Sequence, residues 1–232
     1  MRNVMKQKGF TLIEIAIVLV IIGLLLGGVL KGQELINTAR VRALNNNVDG
    51  ITAAWFSFQD RYRAFPGDYA TAQSILNLPG APEGGNANGQ VDTIAEAGRI
   101  WVHLEAAGYI TGGYTDDGVE IALDEYASST ANSPDNGFGS GMVLSHGSEI
   151  FNLDGVTVAS PAHELISGRG IPVEVLAELD RKVDDGEAVT GAMQIGNGGA
   201  GWDGTEAGLC VNVTGYQLQT PSSNCAAVFR NF

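Results

Sequence analysis

Lys8-Gly9-Phe10-Thr11-Leu12-Ile13-Glu14 opens an apolar run that continues as Ile15-Ala16-Ile17-Val18-Leu19-Val20-Ile21-Ile22-Gly23-Leu24-Leu25-Leu26-Gly27-Gly28-Val29-Leu30. About 20 apolar residues are enough for a helix to cross hydrocarbon. One carboxylate, Glu14, interrupts the run. An ionised side chain in that medium costs a few kcal/mol, so a lone Glu near the start of the segment implies a waiting partner. Arg2, Lys6 and Lys8 stand in front of the run, and such a basic flank stays on the cytoplasmic side. A secretory signal would carry a shorter apolar core and a small-x-small cleavage site, which Gly27-Gly28-Val29-Leu30-Lys31-Gly32 does not offer. A plain transmembrane anchor fits the length and leaves Glu14 without a role. Cleavage between Gly9 and Phe10, ahead of the apolar run, is the third option.

Beyond Lys31 the apolar positions Leu35, Ala39, Val41, Leu44, Val48, Ile51, Ala54, Trp55 and Phe58 recur at three- and four-residue steps, with polar residues between them. That period predicts an amphipathic continuation of the helix. Pro66 is the next strong stop, because its ring opposes helical geometry in the preceding residue. A helix from about Phe10 to Tyr62 would be roughly 80 Å long. Gly23, Gly27, Gly28, Gly32 and Gly50 weaken it intrinsically. Gly23-x-x-x-Gly27 and Gly28-x-x-x-Gly32 have the spacing of close helix packing in a membrane; local melting during assembly is the alternative.

Lys8-Gly9-Phe10-Thr11-Leu12-Ile13-Glu14, with its basic leader and the apolar run behind it, resembles the class III leader and mature start of type IV pilins and pseudopilins. The resemblance implies that a prepilin peptidase cuts after Gly9 and methylates the new amine on Phe10. It also implies that Glu14, fifth in the mature chain, is the assembly glutamate. Physical chemistry agrees with that role. Cleavage creates an ammonium at Phe10 four residues from Glu14, and in a low dielectric the two charges attract strongly while an unpaired one is costly. The amine of the same chain or of a neighbouring subunit would neutralise Glu14. The head carries looser likenesses: Phe65-Pro66-Gly67-Asp68, Asn86-Ala87-Asn88-Gly89, Trp101-Val102-His103-Leu104 and Ala107-Gly108-Tyr109-Ile110 resemble bacterial prepilin-type proteins not assigned to one machine.

Removing Arg2, Lys6 and Lys8 leaves ten basic against 26 acidic side chains, a balance of −16 in place of −13. So acidic a head has no electrostatic attraction for nucleic acid or anionic lipid. The cysteines are Cys210 and Cys225. An exported head sits in an oxidising compartment, so the pair is expected to form a disulfide. Pilins typically carry such a C-terminal loop, and closing it is worth about 3 kcal/mol in the chain-entropy model.

The rest of the head alternates short elements with Gly-rich turns. Asp68 is placed to cap a short helix from Tyr69 to Leu76. Leu78 to Gly89 is a loop, and a second helix is predicted from Thr93 to Ala107, with Ile100, Trp101, Leu104 and Ala107 inward and Gly108 ending it. Gly141 to His146, Ile150 to Ser160 (with an Asp154-Gly155 turn), Gly191 to Ile195 and Leu209 to Leu218 are strand candidates. Pro172 begins a third helix that ends near Asp184. The expected fold class is α+β: a long N-terminal α-helix packed on an antiparallel sheet with peripheral short helices. The expected organisation is a cleaved leader (1–9), a transmembrane and filament-core helix (10–30), its amphipathic continuation (31–63), and an extracytoplasmic head with a C-terminal disulfide loop (64–232).

Two oxygen-rich stretches are candidate calcium sites. Asn86, Asn88 and Asp92 stand at alternate positions around Gly89, as in a calcium loop, but Gly84 and Ala95 occupy the places of its end ligands, with Glu83 and Glu96 one position off. A plain Gly/Asn turn is the alternative. Asp180 and Asp184 would share a helix face, with Asp185 at the helix end, where the dipole disfavours a carboxylate. A cation would relieve that strain, and so would a salt bridge to Arg63, Arg99 or Arg169. No cofactor is otherwise indicated. Catalysis finds no support: His103, His146 and His163 are scattered, and Ser145-His146-Gly147-Ser148 lacks the nucleophile-elbow pattern. Tyr109, Tyr114 and Tyr126 pack or serve an adhesive surface, Asp116-Asp117-Gly118 is a turn, and a tip-located binding module is a further option. The expected partners are other pilin subunits, the prepilin peptidase, an inner-membrane assembly platform and, before assembly, membrane lipid. The expected location is the bacterial inner membrane first, with a cytoplasmic N-terminus, and a periplasmic or cell-surface filament afterwards.

Overall fold

The structure is a computed structural model and describes residues 12–78, 84–114, 130–150, 160–197, 204–212 and 215–232, the side chains of 204 and 205 excepted. Two compact units divide the chain, Met1–Ala39 and Arg40–Phe232. Helix α1 (Leu12–Tyr62) supplies residues to both. In the first unit Leu12, Ile13, Ile15 and every large apolar side chain on to Ile36 is exposed, and the helix is long and apolar enough to cross a membrane. A Cβ added at Gly23, Gly27, Gly28 or Gly32 would meet no described atom within 4 Å, so nothing within the described chain requires these glycines.

In the second unit Val41, Leu44, Val48, Ile51, Ala54, Trp55 and Phe58 of α1 are buried. This is the predicted stripe, but it begins at Val41. Leu35 and Ala39, expected as its first members, are exposed, because the packed unit starts only at Arg40. The helices that follow are α2 (Ala72–Ile75), α3 (Ile94–Ala106) and α4 (Val173–Val183), and the stripe faces one core shared with the sheet, α3 and α4. Ring contacts locate the partners: Trp55 lies 5.2 Å from His163 and Phe58 lies 6.3 Å from His103 on α3.

The strands are β1 (Val143–Gly147), β2 (Ala162–Ile166), β3 (Met193–Ile195), β4 (Val211–Asn212), β5 (Gly215–Tyr216) and β6 (Ala227–Phe229), with the short helix α5 (Gly204–Gly208) before β4. Four of them form an antiparallel sheet in the order β1-β2-β6-β3, with Leu144 opposite Leu165 and Leu165 opposite Phe229. The last strand in sequence is thus interior to the sheet. The predicted strand from Leu209 to Leu218 is instead the hairpin β4–β5. Cys210 and Cys225 are bonded, with Cα atoms 5.8 Å apart, and the bridge spans that hairpin. Cys225 also exchanges both backbone hydrogen bonds with Ile171, just ahead of α4. The predicted strand from Ile150 to Ser160 lies almost wholly outside the described residues, as do Asp116-Asp117-Gly118 and Tyr126.

Polar groups are buried deliberately around this core. Glu164 on β2 is fully buried; it accepts the Glu149 amide and meets the Arg230 guanidinium at 2.7 Å. Arg230 also donates to the Ser160 carbonyl, which pins the end of β6. His103 accepts the Gly67 N–H on Nδ1 at 2.9 Å, and His163 accepts the Val91 N–H on Nε2 at 3.3 Å. Both imidazoles must be neutral at the accepting nitrogen. Burial holds each down to about 4, with Arg99 adding to the effect on His103 and His146 to that on His163. Two of the three histidines scattered in sequence meet in space: His146 and His163 face each other across β1 and β2.

Two measurements follow from these groups. Arg230→Ala leaves the Glu164 charge buried without its partner and should cost roughly 3 kcal/mol in a denaturant titration; adding Glu164→Gln should recover part of it. The His163 value lies below that of the unfolded chain, so the unfolded state takes up the proton first. Its stabilising contribution is complete above about 6.5 and is lost as pH falls towards about 4. His163→Gln keeps an acceptor for Val91, so the stability gap between parent and variant should shift towards the variant by up to about 1.4 kcal/mol per pH unit in that window. Other titrating groups are common to both chains and largely cancel in the comparison.

Candidate functional site

Glu14 stands in the first turn of α1, exposed, at the end of the helix where the macrodipole favours a carboxylate. Around it the helix presents only apolar side chains as far as Lys31, which bonds Glu34 at 2.7 Å. Gly9 and Phe10, the residues of the expected cleavage and methylation, lie outside the described residues. The site is thus a helix start that carries one acid on an otherwise apolar, uncovered surface.

The first oxygen-rich loop is tied down by hydrogen bonds. Asp68, expected to cap a helix at Tyr69, instead accepts the amides of Asn88 at 3.2 Å and Gly89 at 2.8 Å. The short helix starts only at Ala72, and its N-cap Thr71 makes no side-chain bond. Asn86 and Asn88 turn their carbonyl oxygens to the amides of Asn88 and Gln90. Their amide nitrogens donate to the two oxygens of Asp92, at 3.4 and 2.9 Å. Glu96 completes the arrangement from α3. It forms a capping box with Thr93 while its two oxygens accept the amides of Asn86, Asp92 and Thr93. A Cβ on Gly85 would sit 2.2 Å from the Asp68 Cα, so only glycine allows the loop to lie this close. The structure therefore brings Asn86, Asn88 and Asp92 together through mutual hydrogen bonds, with the amide hydrogens on the carboxylate.

Glu96, one position off the calcium pattern in the sequence, thus takes a structural part here. Its signal was the Thr93-x-x-Glu96 spacing, which is that of a capping box. The reach of its carboxylate back to Asn86 had no signal in the spacing.

The second cluster lies at the end of α4. Asp180 is on the last turn and fully buried; Asp184 is the C-cap, with φ −143° and ψ −143°, and so is not on the helix face expected for it. Asp185 follows in the loop to β3. One carboxylate oxygen from each of the three lies within 4.8 Å of the other two. Their hydrogen-bond donors are neutral: the Tyr216 hydroxyl at 2.8 Å for Asp180, the Met193 amide at 2.8 Å for Asp184, and the Glu187 amide and Thr190 hydroxyl at 2.9 and 2.6 Å for Asp185. None of the three forms an ion pair among the described residues. Arg63, one of the expected partners, lies beside Asp60 instead. Burial pushes Asp180 up to about 6 against the Tyr216 hydroxyl and the Gly186 amide, which favour its charge; Asp185 and Asp184 raise it further. Burial, then the Asp180 charge, drives the Tyr216 hydroxyl well above its ordinary range. The Thr190 hydroxyl and the Glu187 amide hold the exposed Asp185 below its usual value.

Tyr109 and Tyr114 are half-buried against the core, and Tyr109 donates its hydroxyl to the Ser57 carbonyl. Ser145, beside His146, is buried in β1.

Comparison with known proteins bears on the N-terminal segment. No curated protein and no solved structure matches the chain. A family model described as the prokaryotic N-terminal methylation motif matches residues 4–30. That motif is a structural leader and does not define an enzyme family. Its match ends at Leu30, so the looser likenesses in the head lie outside it. Residues 4–30 of this chain thus carry the prokaryotic N-terminal methylation motif, the leader signature of the type IV pilins and pseudopilins.

Proposed function

We propose that the chain is a structural subunit of a type IV pilus-like filament, made as a membrane-anchored precursor and assembled through its N-terminal helix. The observation that carries this is the methylation motif at residues 4–30 running into an apolar helix whose side chains the described chain leaves uncovered. The leader (1–9) is removed between Gly9 and Phe10, and Phe10 is methylated by the prepilin peptidase. Residues 10–30 sit in inner-membrane lipid, with the basic end cytoplasmic, and then enter the filament core. Residues 31–63 continue the helix, and 64–232 form the head outside the cytoplasm. An inner-membrane platform drives the transfer.

Glu14 sets the register in this scheme. The methylated amine of Phe10, from a neighbour or from the same chain, neutralises it as the helix leaves lipid. The small-residue positions Gly23, Gly27, Gly28 and Gly32, where an added Cβ has open space, suit helix-to-helix contact between subunits.

Glu14→Ala should leave leader cleavage intact and strongly reduce recovery of the chain in sheared filaments, read by immunoblot of cell and filament fractions. Intact mass of the mature protein should equal the chain from Phe10 plus one methyl group. A chain retaining residues 1–9, or filaments formed normally by the variant, would overturn the scheme. A deletion strain separates the two machines: loss of surface fibres points to a pilus, and a protein-secretion defect without fibre loss points to a pseudopilus.

A further inference from the structure

The cluster at the end of α4 is three carboxylates that form no ion pair among the described residues. We propose that Asp180, Asp184 and Asp185 bind one calcium ion, which fastens the end of α4 to the loop entering β3 and, through Tyr216, to the disulfide hairpin. A cation holds oxygen ligands at 2.3–2.6 Å, so two ligands of the same ion lie at most about 5 Å apart. The three carboxylates satisfy that limit, with one oxygen of each within 4.8 Å of the others.

A second observation points to the same ligand. Asp180 is fully buried; the Tyr216 hydroxyl takes Oδ2 and the Gly186 amide also favours the charge, yet Oδ1 makes no hydrogen bond among the described residues. A buried charged oxygen left without a donor is costly, and a cation is the partner that removes the cost for all three groups at once. The helix end adds to the demand: α4 closes with the Asp184 amide on the Asp180 carbonyl, so the negative pole of the helix faces the cluster. Neutral donors hold Asp184 and Asp185 in place without using their charge. Gly191 is shaped for this, since a Cβ there would lie 2.1 Å from the Asp184 carboxylate.

Calcium fits better than magnesium. Asp185 is exposed and Asp184 half-buried, so water can complete an irregular shell, whereas magnesium demands a near-ideal octahedron. A cleft of about 120 Å³ opens beside Asp184, bordered by Asn45, Asp49 and Met193, and gives an approach from solvent. The competing account is a proton held on Asp180. It predicts no dependence on any metal.

The test is titration calorimetry of calcium chloride into the full chain, purified in detergent and stripped with EDTA, with thermal unfolding recorded alongside. The expected result is one calcium per chain, with a dissociation constant of roughly 10⁻⁴–10⁻³ M, the range of extracellular calcium modules, and an unfolding midpoint that rises with calcium. Asp185→Asn changes an exposed side chain and should weaken binding by roughly tenfold, since affinity follows ligand charge. Asp180→Asn keeps an acceptor for Tyr216 and removes a buried charge. It should fold, resist thermal unfolding without calcium at least as well as the parent, and lose the calcium response. No calcium uptake by the parent at millimolar concentration would overturn the proposal. So would undiminished uptake by both variants, or saturation by magnesium with calcium binding more weakly.

Discussion

The stripe from Val41 to Phe58 is the constraint on which the head depends. Those residues recur on one face of α1, and each is buried against strands and helices that come from all along the remaining chain. Trp55 alone touches Phe65, His163 and Phe232, which lie 10, 108 and 177 positions away in sequence. Apolar burial on this scale, at about 25 cal/mol per Å², dominates the favourable side of folding. The same helix bears, up to Ile36, apolar side chains that remain exposed. One continuous helix thus serves two environments, and the packed unit begins only at Arg40, beyond the point near Lys31 where the pattern turns one-sided.

The head handles its buried acids in two ways. Asp68 and Glu96 are surrounded by backbone amides and pull the loop from Gly84 to Thr93 onto the N-terminus of α3. Glu164 meets Arg230 and the Glu149 amide. Such groups help specify one arrangement of loops, because any other would leave a buried charge unsatisfied. Asp180 departs from the pattern. The Tyr216 hydroxyl and the Gly186 amide favour its charge, but Oδ1 makes no hydrogen bond among the described residues and two acidic neighbours stand beside it.

Much of this was legible in the chain. The apolar run with Glu14 announced itself because a carboxylate in hydrocarbon is too costly to be accidental. The period of the α1 stripe, the second helix with Ile100, Trp101 and Leu104 inward, the start of α4 at Pro172 and the Cys210–Cys225 bridge all follow from local pattern or composition. The errors share one cause. Asp68 looked like a helix cap from its neighbours and proved to be a loop anchor, because Asn88 and Gly89 are brought to it from twenty residues away. Asp184 was counted on the helix face, but the chain leaves helical geometry there to place its carboxylate on the Met193 amide.

By itself the sequence determined most of the elements and the N-terminal methylation motif, since helix period, apolar length and the cost of a lone charge are properties of neighbours along the chain. Tertiary structure alone decided that β6, the last strand, lies inside the sheet, that His146 and His163 meet, and that three aspartates converge without an ion pair among the described residues. Those facts depend on distances between residues far apart in sequence. They are set by which surfaces must be buried together, and local spacing carries no record of that.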